Sequence, residues 1–257
     1  MIQLFNTILA EPLYNLLAGI FAVVPGHDLG VTIIILTIII KAVLWPLSAK
    51  AMKSQRALQE VQPQLKELKE KFKDDKEGLA KAMMELYSKE KVSPFSSCLP
   101  LLLQLPIFFA LYRVMRDGLR QAEINDLYSW VPNPGHIDPM FFGAIDLASP
   151  NIFLAVLAGL AQFWQARMMS AKQPPKSLRK KTGAKDESML STMNKQMVYF
   201  MPIMTVVIGA TLPGGLILYW LFNNLLTVGQ QYISFRKPKE AKNEPEKKDE
   251  GKPETAI

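Results

Sequence analysis

The stretch VTIIILTIIIKAVLWPL, from Val31 to Leu47, constrains this chain more than any other. Its length and scarcity of polar groups suit a helix that crosses a lipid bilayer. There every backbone N–H and C=O must be satisfied within the element itself. Yet Lys41 lies inside it. An ammonium group at the centre of a spanning helix costs roughly 2.5–3.5 kcal/mol on insertion scales. The lysine therefore needs a snorkelling route, water or an anion.

The apolar run extends over Gly30–Leu47, and four further segments resemble it: about Phe95–Met115, Asn151–Met169, Gln196–Leu212 and Leu216–Ser234. Each is near the ~20 residues a span requires. The expected fold class is an all-α polytopic membrane protein with a five-helix transmembrane core. Lys and Arg crowd the segments after the first, third and fifth spans. The segment Asp117–Pro150 instead holds Arg120 against Glu123, Asp126, Asp138 and Asp146. Basic loops stay in the cytoplasm, so five spans put the N-terminus outside and the C-terminus inside.

Residues 1–26 contain no Lys or Arg, which argues against a secretory signal and for Met1 as the start of an uncleaved chain. Leu13, Leu16, Leu17, Ile20, Phe21 and Val24 share one face of a helix, with Pro12 suited to its start and Gly26 to its end. A helix lying in the outer interface is expected rather than a sixth span. Residues 27–49 and 93–235 form the expected core.

Residues 50–92 read as a cytoplasmic antiparallel helical hairpin. Leu58, Val61, Leu65, Leu68 and Phe72 form a seam at spacings of three and four. Asp75 can cap a second arm carrying Leu79, Met83 and Leu86, and Pro63 should bend the first. The tail, 236–257, is charged and without apolar periodicity, so it reads as disordered. The basic loop after the third span suits anionic lipid headgroups better than ribosomal RNA. The single Cys98 excludes an internal disulfide framework and reads as a small packing residue.

About 9 Å of helix separates Lys41 from Leu47. Thr37 precedes it by four residues on the same face. Other spans hold Gln104, Gln162, Gln165, Asn223 and Asn224, and none holds a carboxylate. Pro100 and Pro106 free backbone carbonyls in the second span. Two readings of Lys41 stand side by side. It snorkels to the interface, or it lines a wet, positively charged cavity open to the cytoplasm; the cavity accounts for more of these residues. Helix–helix hydrogen bonding explains Asn223 and Asn224 equally well.

No HExxH, Walker loop, GxSxG or CxxC is present, and His27 and His136 are isolated. The chain therefore does not read as an enzyme, and no metal or cofactor is expected. A small transporter or channel using Lys41 is one alternative, although the two halves do not repeat one another. An insertion device, which lowers the cost of moving a polar segment across lipid, is the other.

The segments TIIIKAVLWPLSAKAMKSQRALQEVQPQLKELKEKFKDDKEGLAKAMMELYSKEKVSPFSSCLPLLLQLPIFFALYRVM, FGAIDLASP and GLILYWLFNN resemble the YidC family of membrane-protein insertases. The resemblance covers nearly all of Gly30 to Phe235. It implies five spans around a hydrophilic groove open to cytoplasm and lipid, in a bacterial plasma membrane. It implies that the groove's basic residue attracts acidic residues of a client. That residue is usually arginine in the family, and Lys41 takes its place here, keeping the charge but losing the planar fork. The resemblance places Thr37, Gln104 and Trp220 in the groove, with Gln162 or Gln165 from the third span. It places Leu105, Pro106, Phe108 and Tyr219 along an apolar slide by which a client helix leaves. Implied partners are nascent membrane proteins and the bilayer, with a Sec-type translocon, signal-recognition receptor and ribosome as further candidates, and no small-molecule substrate. The family's large periplasmic domain and lipid-anchoring cysteine have no counterpart in these residues, and the tail is only weakly basic.

Overall fold

The computed structural model describes residues 2–72, 75–93, 99–117, 127–169 and 196–236. It is mostly helical. Helices α1 (Ile2–Phe5) and α2 (Glu11–Val23) are joined through a π-helical turn, Asn6–Ala10, and a short 3-10 turn, Pro25–His27, follows. Next come α3 (Leu29–Val43), α4 (Trp45–Glu60), α5 (Gln62–Lys71), α6 (Lys76–Lys89), α7 (Leu99–Asp117) and α8 (Ile152–Met169). A second π-turn, Gln196–Phe200, leads into α9 (Met201–Gly209), and α10 (Gly214–Arg236) ends the described chain. Between α7 and α8, the strands β1 (Met140–Phe141) and β2 (Ile145–Asp146) pair antiparallel, a small ribbon that an all-α reading does not contain.

Several boundaries differ from those expected. The first helix begins at Ile2 rather than Pro12. Proline normally clashes with the carbonyl four residues earlier. Here the wider π-turn just before it makes room, so the helix runs through. The run Gly30–Leu47 is not one helix. It breaks at Leu44, and α4 leaves at 67° to α3. Pro46, near the start of α4, has no N–H to continue α3 and disfavours a helical neighbour before it. Lys41 consequently occupies the last turn of α3. Cys98, the loop 170–195 and the tail from 237 lie outside the described residues.

Among the described residues, Gln3–Val23 alone is long and apolar enough to cross a membrane, or two elements are if the bent pair α3–α4 counts as one. The 23-residue helix α10 fails that test because Asn223, Asn224, Gln230 and Gln231 interrupt its apolar residues. Three of those four are buried, so the polar groups face inward.

Helix α10 packs along α8 and α3, and α9 packs along α8. The starts of α3, α8 and α10 meet at one end. Pro150 bridges Pro213, and a Cβ on Gly215 would lie 3.0 Å from both Ile33 and Met115. The far end of α7 therefore lies beside the starts of α3 and α10. The buried core combines Leu29, Ile33 and Leu36 with Leu111, Leu147 and Ile217. The α7–α8 loop closes this end. Gly214 N donates to Ser149 O at 3.0 Å and Gly215 N to Leu147 O at 2.9 Å, satisfying two first-turn donors of α10.

At the other end, α4, α5 and α6 fold back on themselves. Leu58, Val61 and Leu65 are buried against Tyr87, with Met83, Leu86 and Val92 around them. Asp75 caps α6, its Oδ1 accepting from Gly78 N at 2.8 Å. Near Pro63, where a bend is expected, the helix is interrupted at Val61, between α4 and α5.

Candidate functional site

Lys41 is half-buried and turned into the bundle. Its Nζ donates to Thr227 Oγ1 on α10 at 2.6 Å, and that hydroxyl donates on to Asn223 O at 2.6 Å. The ammonium is thus held by a neutral hydroxyl. An ion pair on α4, Arg56–Glu60 at 3.4 Å, lies away from this lysine. Position in α3 helps as well: the carbonyl end of a helix favours a cation in its last turn, by roughly 0.3–1 kcal/mol at exposed sites.

Thr37, one turn earlier, has no accessible surface, and its hydroxyl donates to Ile33 O at 2.6 Å. Its donor is therefore committed to its own helix. Gln104 on α7 donates through Nε2 to Tyr219 OH at 2.9 Å. Tyr219 is 2% exposed, so it is enclosed by the bundle rather than presented on its surface. Trp220 is half-buried, and Phe108 meets it edge-on with ring centres 5.3 Å apart. Leu105 and Pro106 are exposed on the outer side of α7. Gln162 on α8 accepts from the Thr205 hydroxyl of α9, while Gln165 is half-buried one turn on.

Two polar positions escaped the sequence reading. Thr227 is the lysine's partner, and its signal was available: it follows Asn223 by four residues, on the same face of α10. Thr205 is the partner of Gln162. The polar stripe of α10 also continues further. Asn224 is buried and donates to Ala158 O of α8 at 3.5 Å. Gln230 and Gln231 are buried beyond it. Among the described residues, neither the Nε2 atoms of these two nor the Oε1 of Gln231 has a hydrogen-bond partner. Unpaired buried amides are costly in a dry core, at roughly 1–3 kcal/mol each.

The site has no described constellation for bond-making chemistry. Among the described residues no cluster of His, Cys, Asp or Glu could hold a metal. What it offers is one cation, hydroxyl and amide groups on five helices, α3 and α7 to α10, and an aromatic edge beside exposed apolar residues.

Residues 20–242 match the family model of the 60Kd inner membrane protein. A membrane protein insertase YidC of Pelobacter propionicus is 37% identical over 229 residues, 89% of this chain. One of Francisella tularensis subsp. novicida is 36% identical over 207 residues, 80% of this chain. The chain spans 39% and 32% of the length of those two relatives. A match over this much of the chain, at this identity, makes it a member of the 60Kd inner membrane protein family, the family of the YidC proteins.

Proposed function

We propose that this chain is a membrane-protein insertase of the bacterial inner membrane. One observation carries the reading: a half-buried ammonium, Lys41, held by a neutral hydroxyl at 2.6 Å. A lysine whose only need was neutralisation would face a carboxylate or reach the headgroups. This one faces the bundle interior with electrostatic demand to spare, as a transient binder of acidic segments requires.

Helices α3, α7, α8, α9 with its π-turn, and α10 serve as the five spans. The polar groups of α10 and α8 form the groove, with Lys41, Thr37, Gln104, Gln162, Gln165 and Trp220 along it. The client's polar leading segment enters from the cytoplasm and meets Lys41. Its apolar stretch passes Leu105, Pro106, Phe108 and Tyr219 into lipid. Apolar transfer, at roughly 25 cal/mol per Å², drives a whole span without nucleotide. Binding in the groove stays weak, since tight binding traps the client.

Two hydrogen bonds support an N-terminal helix that lies in the outer interface. Arg113 Nη1 donates to Asn6 Oδ1 at 2.8 Å, and Tyr128 N donates to Asn15 Oδ1 at 2.7 Å. Asn6 is about 25 Å of helix from Val23. A spanning helix would carry it to the far end of α7. Arg113 is instead about 6 Å of helix from α7's terminus, at the end where α3 begins.

Reconstitution tests the reading. Purified protein in liposomes should promote insertion of a short single-span protein with an acidic N-terminal tail. Lys41→Ala and Lys41→Glu should lose that activity, and Lys41→Arg should keep it. Wild-type insertion by Lys41→Ala and Lys41→Glu refutes the electrostatic mechanism. Saturable solute flux without insertion makes the chain a transporter or channel instead.

A further inference from the structure

The α7–α8 loop holds two aromatic rings out from the fold. Phe142 and Trp130 are each 75% exposed. Phe142 is the first central residue of the turn that joins β1 to β2, closed by Ala144 N donating to Phe141 O at 3.0 Å. Both central residues are left-handed, Phe142 with φ 49° and Gly143 with φ 65°. Such a turn favours Asn-Gly, and a bulky residue at its first position is strained.

The strained ring is held in place from below. Phe142 N donates to Asp28 Oδ2 at 2.5 Å, while Asp28 Oδ1 accepts from Val31 N at the start of α3. The ring of Phe141 lies over Gly30, where any Cβ would come within 1.9 Å of it. Phe142 is not part of the buried core, and its ring meets the fold at Phe141, ring centres 4.5 Å apart. Trp130 lies beside Tyr128, ring centres 5.7 Å apart, and the Tyr128 backbone is tied to the buried Asn15. Residues 127–150 contain no Lys or Arg. At their end, the apolar exterior of α8 begins at once, with Ile152 and Phe153 60% and 62% exposed.

We infer that Phe142 and Trp130 are lipid anchors, which seat the α7–α8 loop in the headgroup layer of the outer leaflet. Aromatic rings favour that layer, where an apolar body and a polar surrounding coexist. The uncharged turn and its continuity with the apolar face of α8 select lipid over a charged protein partner. The strain at Phe142 is offset when its ring leaves water. The inference rests on the membrane reading above.

Spin labels on the full chain test it, with Cys98→Ser and a single cysteine at 142, 130, 133 or 207, in phosphatidylethanolamine–phosphatidylglycerol vesicles. Collision with oxygen reports lipid, and collision with a nickel chelate reports water. Labels at 142 and 130 should favour oxygen several-fold over the exposed loop position 133. Position 207, on the exposed side of α9, calibrates the bilayer core. Nickel access at 142 and 130 equal to that at 133, with 207 in lipid, overturns the anchor alone. So does exclusion of both reagents, which denotes a protein contact. Nickel access at 207 overturns the membrane reading itself. Phe142→Asn supplies a separate measurement. It should leave thermal stability in detergent unchanged or higher while moving the label at 130 toward water. Lower stability in detergent would show that the ring serves the fold, and would overturn the proposal.

Discussion

On the insertase proposal, Thr227→Val should make the proposed groove hold acidic clients more tightly. The substitution keeps the shape of the side chain and removes the acceptor that Lys41 Nζ meets at 2.6 Å. The second bond of that hydroxyl, to Asn223 O, lies within α10 and matters little, because that carbonyl also lies in the helical ladder. A hydrogen bond to a charged group contributes roughly 1.5–3 kcal/mol. Lys41 is only half-buried, so water replaces part of the loss, leaving about 1 kcal/mol as an order-of-magnitude figure. That penalty falls on the empty groove. It vanishes once a client carboxylate takes the ammonium, so affinity rises about fivefold. Binding of a fluorescent peptide with an acidic leading segment to the detergent-solubilised protein measures this directly. Release into vesicles should slow by a similar factor. The effect must run through the lysine, so Thr227→Val should change nothing in a Lys41→Ala background. Two results refute the reasoning. Weaker binding by Thr227→Val would mean that Thr227 positions the ammonium rather than competing for it. An undiminished effect without Lys41 would mean that the hydroxyl acts elsewhere.

Three further perturbations test the frame around the groove. Gly30→Ala should destabilise by about 1–3 kcal/mol, because its Cβ overlaps the Phe141 ring; thermal unfolding in detergent, followed by circular dichroism, reads the loss, and Phe141→Ala should recover part of it. Gln104→Leu leaves the buried Tyr219 hydroxyl without its partner and should cost about 1–3 kcal/mol; adding Tyr219→Phe should restore most of that stability in the same measurement. In the α7–α8 loop, the Ser149 hydroxyl donates to Asp146 at 2.6 Å and holds that carboxyl below its usual range, with the backbone N–H groups of Ala148 and Ser149 assisting. A depressed folded value contributes stability that is fully present above the ordinary carboxylate range and is lost as pH falls from there through the depressed value. Ser149→Ala should move the titration of Asp146 upward in a carboxyl NMR experiment, so that the loop loosens at a higher pH.

The helices themselves were legible because long apolar blocks record them. Their ends were less so, since a count of apolar residues ignores which backbone groups can pair. Pro46 is in plain view, yet Trp45 and Leu47 are apolar, so hydropathy carries the first span past the break at Leu44. Pro12 misled in the opposite sense, because a π-turn leaves no mark in hydropathy. Strands of two residues, as in β1 and β2, are too short for any alternation to register. In the site, Lys41 announced itself as a charge among isoleucines. Thr227 did not, because threonine is nearly neutral in an apolar run and its partner lies 186 residues away.

The break at Leu44 also alters what the lysine means. A charge in the middle of a span demands compensation for a deep burial. A charge in the last turn of α3 has that helix's carbonyl end beside it, and less to compensate. Tolerance of Lys41 is then ordinary, and snorkelling alone would suffice to explain it. The direction of the side chain is what separates the two readings. A snorkelling ammonium points along the helix toward the headgroups, away from its neighbours. This one points across to α10 and onto a hydroxyl, within a stripe of Asn223, Thr227, Gln230 and Gln231. Thr227 shares its face of α10 with Gln230 and Gln231, whose buried amides lack partners among the described residues, and that is the arrangement the proposed groove calls for.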